Sequence, residues 1–540
     1  MNAWSAAAAR PLAAILAGVL TTFTWPPFDL PLLGPPAMAL LLLATLGSSG
    51  RRRFLLGTLG GAVCVGVTFH WVYDTVRVMT GLPSVVAAVV LLLFALWHGL
   101  AWGVFAWSAG AVRGLCPRGF PLLAATLWIA LEWAFPAVFP IFLGYGWWRV
   151  LPAIQIADLT GVLGISFVIV ALGAAFADTV LRRRECRSAL GVLALAALMP
   201  ALVYGYGLWR IAVVESAPVR NTARVAVVQP NHTIPEKRSR DFLTRRAMLD
   251  RAVALSEPVL ARHRGEAPGP RVDALIWPEG SFPTRLPDMQ RAAAQLDALG
   301  GSFGNEVRDW NTAALQVVSL QRQLGADFIF GSLRRVRGRT RNSAIWLPAD
   351  GGEAEKYDKL RLVPFGEYLP LSDRFPWLKG RVPGVSDFAA GEGVVRFRVG
   401  PLRALPNICY EAIFPGFVRR ALEPDDEVLV NLTNDVWFGS SRALDLHLMA
   451  QTFRAVENRL PLVRATVTGI SAFVSATGEV QGTTGRLEVT SLEGVVTSRR
   501  VRSVYRDVGE VFLGGACIVA LLWIAVGAKK SGRLGARRRA

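Results

Sequence analysis

Cys409 closes an apolar, strand-like run over 403–408, and a helix-like run, Glu411–Leu422, follows at once. A side chain at such a corner stands clear of the backbone, beside the amides of a helix start. A thiolate is easiest to form and to use as a nucleophile there. No other cysteine lies between residues 187 and 516, so the polar part of the chain offers it no disulfide partner. Two further strand-like runs end in capable groups. The stretch LIWPEG supplies Glu279, and YDKLRLVPFGEY at 357–368 supplies Lys359 and Glu367. A carboxylate can take the thiol proton, the thiolate can attack a carbonyl, and an ammonium with backbone amides can steady the oxyanion. Singly, each residue has a plain structural reading: a packed corner cysteine, or a Glu or Lys in an ion pair. The combination points to acyl transfer.

These groups sit in a segment, 211–510, where short β-rich runs alternate with helical ones. Strands are expected at Arg224–Gln229, Ala274–Trp277, Asp327–Gly331, Ser343–Leu347, Val394–Val399, Leu402–Ile408, Glu427–Thr433, Leu462–Thr466 and Ala472–Ser475. Helices are expected at about 237–264, 286–299, 311–324, 411–421 and 442–459. The alternation reads as an α/β sandwich long enough to bury its own core.

The rest of the chain is apolar. Hydrophobic residues make up 52% of the 540, and the mean hydropathy is +0.37, both high for a protein without a membrane part. Runs near the ~20 residues needed to span a bilayer lie at roughly 11–28, 30–48, 54–73, 82–112, 120–142, 159–181, 188–210 and 511–528. The expected organisation is a seven-helix membrane domain (1–210), a catalytic domain (211–510), an eighth span (511–528) and a basic cytoplasmic tail (529–540). The fold class is thus a polytopic α-helical membrane domain of about eight spans joined to an α/β domain. The net charge of +19 does not mark a nucleic-acid binder, because the basic residues cluster between apolar runs: Arg51–Arg53, Arg113 with Arg118, Arg182–Arg184 with Arg187, and Lys529–Arg539. All are cytoplasmic if the N-terminus is, which places 211–510 outside. The first span reads as an uncleaved anchor. His70, Asp74, His98, Glu132, Trp147, Trp148 and Asp158 fall in or near the spans. An ionisable residue there is a functional candidate, with interfacial placement or helix–helix hydrogen bonding as the alternative. Five cysteines form no disulfide framework. With no metal-ligand spacing or phosphate-cradling glycine loop, neither metal nor cofactor is expected.

The strings WPEG, KYDKLRLVPFGEY and ICYE resemble the nitrilase (carbon-nitrogen hydrolase) superfamily, whose members use a Glu–Lys–Cys triad in an α-β-β-α sandwich. With NLTNDVWFGSS (431–441), His447, RAVENRLPLVRAT (454–466) and the flanking apolar helices, the whole chain resembles the apolipoprotein N-acyltransferases, the membrane-bound branch. The resemblance implies Cys409 as nucleophile, Glu279 as general base, Lys359 as oxyanion cation and Glu367, Tyr410 and Glu411 as supporting residues. It also puts Trp437 and Phe438 in a mobile, membrane-facing loop. Phe365, Trp377, Trp437 and Phe438 are candidates for lipid contact and for shielding a thioester from water. The chain departs from the common pattern at Pro230, where Gly is frequent, and at Val467, where Asn is. The activity implied is transfer of a phospholipid acyl chain, through a cysteine thioester, to the α-amine of a diacylglyceryl apolipoprotein. The implied setting is a monomer in a bacterial inner membrane, with its catalytic domain periplasmic. A membrane-tethered nitrilase-type amidase and a non-catalytic lipid-binding scaffold or transporter are the competing readings. Seven helices are more than a tether needs, and the intact Glu279, Lys359 and Cys409 argue against a decayed site.

Overall fold

The structure, a computed structural model, describes residues 3–181, 186–285, 289–298, 309–378 and 384–537. The cluster Arg182–Arg184, the edges of the helix expected at 286–299 and the last three residues of the tail lie outside these. Twelve strands are present among the described residues: β1 Val219–Gln229, β2 Ala274–Ile276, β3 Asp327–Val336, β4 Arg339–Leu347, β5 Glu355–Asp358, β6 Phe397–Val399, β7 Leu402–Ile408, β8 Val428–Thr433, β9 Leu462–Thr466, β10 Ala472–Val474, β11 Val480–Thr483 and β12 Thr490–Arg499. They form two six-stranded sheets, ordered β12-β1-β2-β3-β4-β5 and β11-β10-β9-β8-β7-β6. The parallel pairs β1–β2, β2–β3, β7–β8 and β8–β9 lie in the middle of each sheet.

Between the sheets Val225, Val227, Ile276 and Ile329 meet Ala404, Ile408, Val430 and Val463 in one buried cluster. The outer face of the first sheet packs on helices Phe242–Arg264, Met289–Ala298 and Trp310–Leu324. The outer face of the second packs on Pro415–Ala421 and Ala443–Asn458. This is the expected α-β-β-α layering. Strands buried on both faces read as near-continuous apolar runs, which is why the central ones were visible in the sequence. Three strands were not: β5, β11 and β12 are polar or charged edge segments with no apolar run. The helix expected at 237–264 is two, Ile234–Arg238 and Phe242–Arg264, because Asp241 caps the second by accepting from the Thr244 amide at 2.8 Å.

The membrane part departs further. Among the described residues three helices are long and apolar enough to cross a bilayer: Ser84–Leu115, Val162–Leu181 and Ala197–Ser216. A fourth is reached if Gly50–Thr68 and Trp71–Thr80, bent by 58°, count as one. Ala9–Thr22, Pro31–Thr45, Phe120–Ala134 and Val511–Ala525 are apolar but shorter. The run at 120–142 stops being helical at Ala134 because Pro136 and Pro140 push the chain into extended backbone. Helices Gly50–Thr68 and Ser84–Leu115 pack closely. A Cβ at Gly57 would lie 2.5 Å from the Trp102 carbonyl oxygen, the small-residue contact common between membrane helices.

The two parts share one buried cluster. Tyr145, Phe142 and Ile165 of the helical part pack with Tyr410, Met449, Phe453 and Val456 of the sandwich. Arg459 of the sandwich crosses the same seam to Asp158, and further polar contacts knit the helical part around it. Asp158 accepts from Tyr206 at 2.8 Å, Arg210 at 2.5 Å and Arg459 at 3.0 Å. Trp148 donates to Asp29 at 2.7 Å and Trp147 to the Pro31 carbonyl at 3.1 Å. For these three the hydrogen-bonding reading of the sequence holds.

Candidate active site

Cys409 is the first residue after β7 and opens a short 3-10 turn, Cys409–Ile413. The long helix expected from Glu411 is absent. Phe414 breaks it in extended backbone, and an α-helix resumes at Pro415. Cys409 itself has φ +51°, a left-handed conformation that costs a non-glycine residue energy and holds its side chain out at the corner. Glu411 over-determines that corner. Its carboxylate accepts from the Ile408 amide at 2.7 Å, the Leu360 amide at 2.6 Å, the Arg361 amide at 3.1 Å and the Tyr357 hydroxyl at 2.9 Å. It therefore ties the end of β7 to the chain just past β5, where Lys359 sits. Tyr410 points the other way. Its hydroxyl donates to the Val138 carbonyl, and its ring meets Phe139 edge-on at 5.6 Å.

Lys359 is 1% exposed. Its ammonium donates to Glu367 Oε1 at 2.9 Å and lies 3.8 Å from Glu279 Oε1. The Asn342 amide on β4 bridges the two carboxylates, donating to Glu279 at 2.5 Å and to Glu367 at 3.0 Å. Glu279 Oε2 is buried with no partner among the described residues. The backbone carrying Glu279 can lie this close to β3 because residue 331 is glycine; a Cβ there would be 2.5 Å from the Glu279 Cα. Burial pushes the Glu279 carboxyl above the ordinary range, against the pull of Lys359. Burial alone would lower the Lys359 ammonium, but Glu367 and Glu279 outweigh it and keep it charged.

For Cys409 the structure reverses the sequence expectation. Burial, reinforced by the Glu279 charge, pushes its thiol up to about 12, and Lys359 offsets only part of this. The amides of a long helix, which would favour a thiolate, are missing. That direction favours the thiol over the thiolate at rest.

Sequence reasoning missed three contributors. Asn342 has no local signal. Asp435 and Arg464 form a buried pair at 2.5 Å, with His447 Nδ1 on Asp435 at 2.9 Å. Cys409, Asp435 and His447 could in principle converge on a cation. The Arg464 guanidinium on the same carboxylate makes the cluster an ion-pair network instead.

The remaining expected residues make none of these contacts. Phe365 is 58% exposed and Trp377 65% exposed. Trp437 and Phe438 form a short turn against the helix Trp71–Thr80: the Thr75 hydroxyl donates to the Trp437 carbonyl at 3.0 Å, and Phe438 meets Trp71 edge-on at 4.7 Å. Beneath Tyr410, a cavity of about 80 Å³ in the helical part is lined by His98, Trp102, Trp128, Glu132 and Phe139 among others. There Glu132 accepts from the Leu143 amide at 2.7 Å and His98 Nδ1 lies 2.9 Å from the Phe94 carbonyl. His70 is exposed.

Residues 224–506 match the carbon-nitrogen hydrolase family and residues 17–175 the apolipoprotein N-acyltransferase N-terminal domain. The chain is 33% identical to an apolipoprotein N-acyltransferase of Geobacter metallireducens over 95% of its own length and 94% of the relative's. This chain belongs to the apolipoprotein N-acyltransferase family. Members from Bdellovibrio bacteriovorus (31% identity; 86% and 84% of the two chains) and Pseudomonas aeruginosa (31%; 96% and 95%) also match over most of their length. Among solved structures it is similar to an amidase from Nesterenkonia sp. (TM-score 0.35, 20% identity, 55% of this chain and 98% of that one). Both halves of an apolipoprotein N-acyltransferase are therefore present, which disfavours the tethered-amidase and scaffold readings.

Proposed function

We propose that this protein transfers an acyl chain from a phospholipid to the α-amine of an S-diacylglyceryl cysteine on an apolipoprotein, by way of a thioester on Cys409. The observation that carries the site assignment is the meeting of Lys359, Glu279 and Glu367 in one buried cluster whose charges act on the Cys409 thiol. In the acylation half, Glu279 takes the thiol proton as sulfur attacks the ester carbonyl. The Lys359 ammonium balances the oxyanion, and the proton passes to the departing glycerol oxygen, releasing a lysophospholipid. In the second half the amine displaces the thiolate, giving an amide and free Cys409.

The membrane setting follows from the same reading. Tyr410 rests on Val138 and Phe139, and Phe139 also lines the helical cavity, which supports a path for an acyl chain from the helical part to the corner. Each buried methylene contributes about 0.8 kcal/mol. A buried site also keeps water from the thioester. We read the three long helices, the bent pair and the four shorter apolar helices as eight crossings, with residues 1–210 and 511–528 in a bacterial inner membrane, 211–510 periplasmic and 529–540 cytoplasmic. The phospholipid, the diacylglyceryl apolipoprotein and the bilayer are its partners, and it works as a monomer.

The test is direct. Purified protein is incubated with acyl-labelled phospholipid, and label on Cys409 is followed with and without hydroxylamine. A hydroxylamine-sensitive label, absent in Cys409→Ala, is expected. A label that persists in Cys409→Ala removes Cys409 from its role.

A further inference from the structure

Cys409 has a second set of neighbours that the acylation half does not use. Its sulfur, a carboxylate oxygen of Asp435 and a ring nitrogen of His447 all lie within 4.8 Å of one another. Asp435 follows β8, and His447 is on the helix Ala443–Asn458. Asp435 Oδ1 faces His447 Nδ1 at 2.9 Å, and Arg464 on β9 holds Asp435 Oδ2 at 2.5 Å. Arg464 is itself fixed by the Ile470 carbonyl at 3.0 Å and the Asn431 side chain at 3.3 Å. A carboxylate held this way accepts the Nδ1 proton and leaves Nε2 as a bare acceptor. Nε2 is buried without a partner among the described residues, and His447 is 8% exposed. Leaving a buried acceptor unpaired costs free energy unless a substrate N–H reaches it. Burial lowers the His447 pKa, against the pull of Asp435, and so favours the neutral ring.

We infer that His447, oriented by Asp435 and Arg464, carries the proton of the aminolysis half-reaction. The inference rests on the thioester reading above. The substrate ammonium first gives one proton to solvent. The neutral amine nitrogen then attacks the thioester carbonyl; the C–N bond forms and the C–S bond breaks. The remaining excess proton on nitrogen passes to His447 Nε2, and the imidazolium returns it to the Cys409 thiolate. Thiol and neutral imidazole are restored, and no further reactant is consumed. The two halves thus use different bases: Glu279 for the hydroxyl-leaving step, and His447 for the step in which an amine must be deprotonated as it bonds.

The test separates the halves. Full-length protein is loaded with labelled acyl chain from phospholipid in detergent micelles, then mixed with a diacylglyceryl-cysteine peptide. In His447→Gln, thioester formation should stay within about threefold of the parent, while transfer slows by about a hundredfold, the scale of losing one proton-transfer group. In His447→Ala, added imidazole should restore part of the transfer rate, which a merely structural defect would not allow. Hydroxylamine at high concentration should strip the label at the parent rate in both. Equal loss in both halves, no loss in either, or no response of His447→Ala to imidazole would overturn the inference. Failure of the parent protein to form any thioester would instead sink the underlying acyl-enzyme reading.

Discussion

Glu367 Oε1 accepts from Lys359 Nζ at 2.9 Å while its Oε2 accepts from the Val363 amide at 2.8 Å, so one carboxylate fixes both the ammonium and the chain that follows it. Glu279 is farther from the same ammonium, at 3.8 Å. Glu367 is therefore the closer partner of Lys359, and in the proposed mechanism Glu279 is the carboxylate that exchanges a proton. Glu367→Gln should keep the fold but slow thioester formation about ten- to a hundredfold, the loss of one charged hydrogen bond. Lys359→Ala should be worse, by roughly a hundred- to a thousandfold. Burst kinetics with labelled phospholipid check both, and normal bursts in Lys359→Ala would refute the oxyanion assignment.

The thiol itself makes an unusual forecast. Because burial and the Glu279 charge hold Cys409 up at about 12, alkylation by iodoacetamide in the absence of lipid should climb through pH 7–10 without a plateau. Glu279→Gln removes a negative neighbour, so alkylation at a fixed pH should speed up even as acyl transfer slows. A plateau near neutral pH in the parent would contradict a protonated resting thiol.

Glu411 should show itself through stability. Burial raises its folded-state carboxyl to about 7, above the ~4.3 of an unfolded chain. A raised carboxyl stabilises most below the unfolded value, and that contribution fades as pH rises toward 7. Thermal melts of the parent should therefore lose a component between about pH 4.5 and 7 that Glu411→Gln lacks. Glu411→Gln should also be less stable throughout, by about 1–3 kcal/mol, because its NH2 meets amide donors. Identical pH slopes in the two proteins would exclude this.

The exposed rings of Phe365 and Trp377 predict a lipid-specific defect. Phe365→Ser with Trp377→Ser should reduce activity on vesicles several-fold but leave activity on detergent-dispersed substrate near the parent value. Equal losses in both would place the rings inside the reaction rather than at the membrane.

Much of the site was legible before any coordinates. Glu279 and Cys409 follow buried strands, which write themselves as apolar runs with a polar stop, whereas Lys359 follows the polar edge strand β5 and was legible only through the string KYDKLRLVPFGEY. Glu367 was visible because it lies one short loop from Lys359. Asn342 was not, since its importance comes from two carboxylates brought to it by β2 and by the segment after β5. Trp437 and Phe438 were expected in a mobile, membrane-facing loop; what the sequence did not show is that this loop packs on Thr75 and Trp71, far away in the chain. The run at 11–28, whose end Pro26 and Pro27 already made soft in the sequence, is helical only to Thr22, and the run at 120–142 only to Ala134, because hydropathy alone does not place a helix end.

The amino-acid order by itself determined which side chains could do the chemistry, the alternation of strands and helices and the apolar character of both ends, because composition and periodicity act locally, while the α-β-β-α layering was implied only by the family resemblance. Only the tertiary structure decided the burial of Cys409, the unequal distances of Glu367 and Glu279 from Lys359, and the presence of Asp435, His447 and Arg464 near the sulfur. Those depend on burial and on charge–charge distances between residues far apart in the chain, and no local pattern encodes a distance.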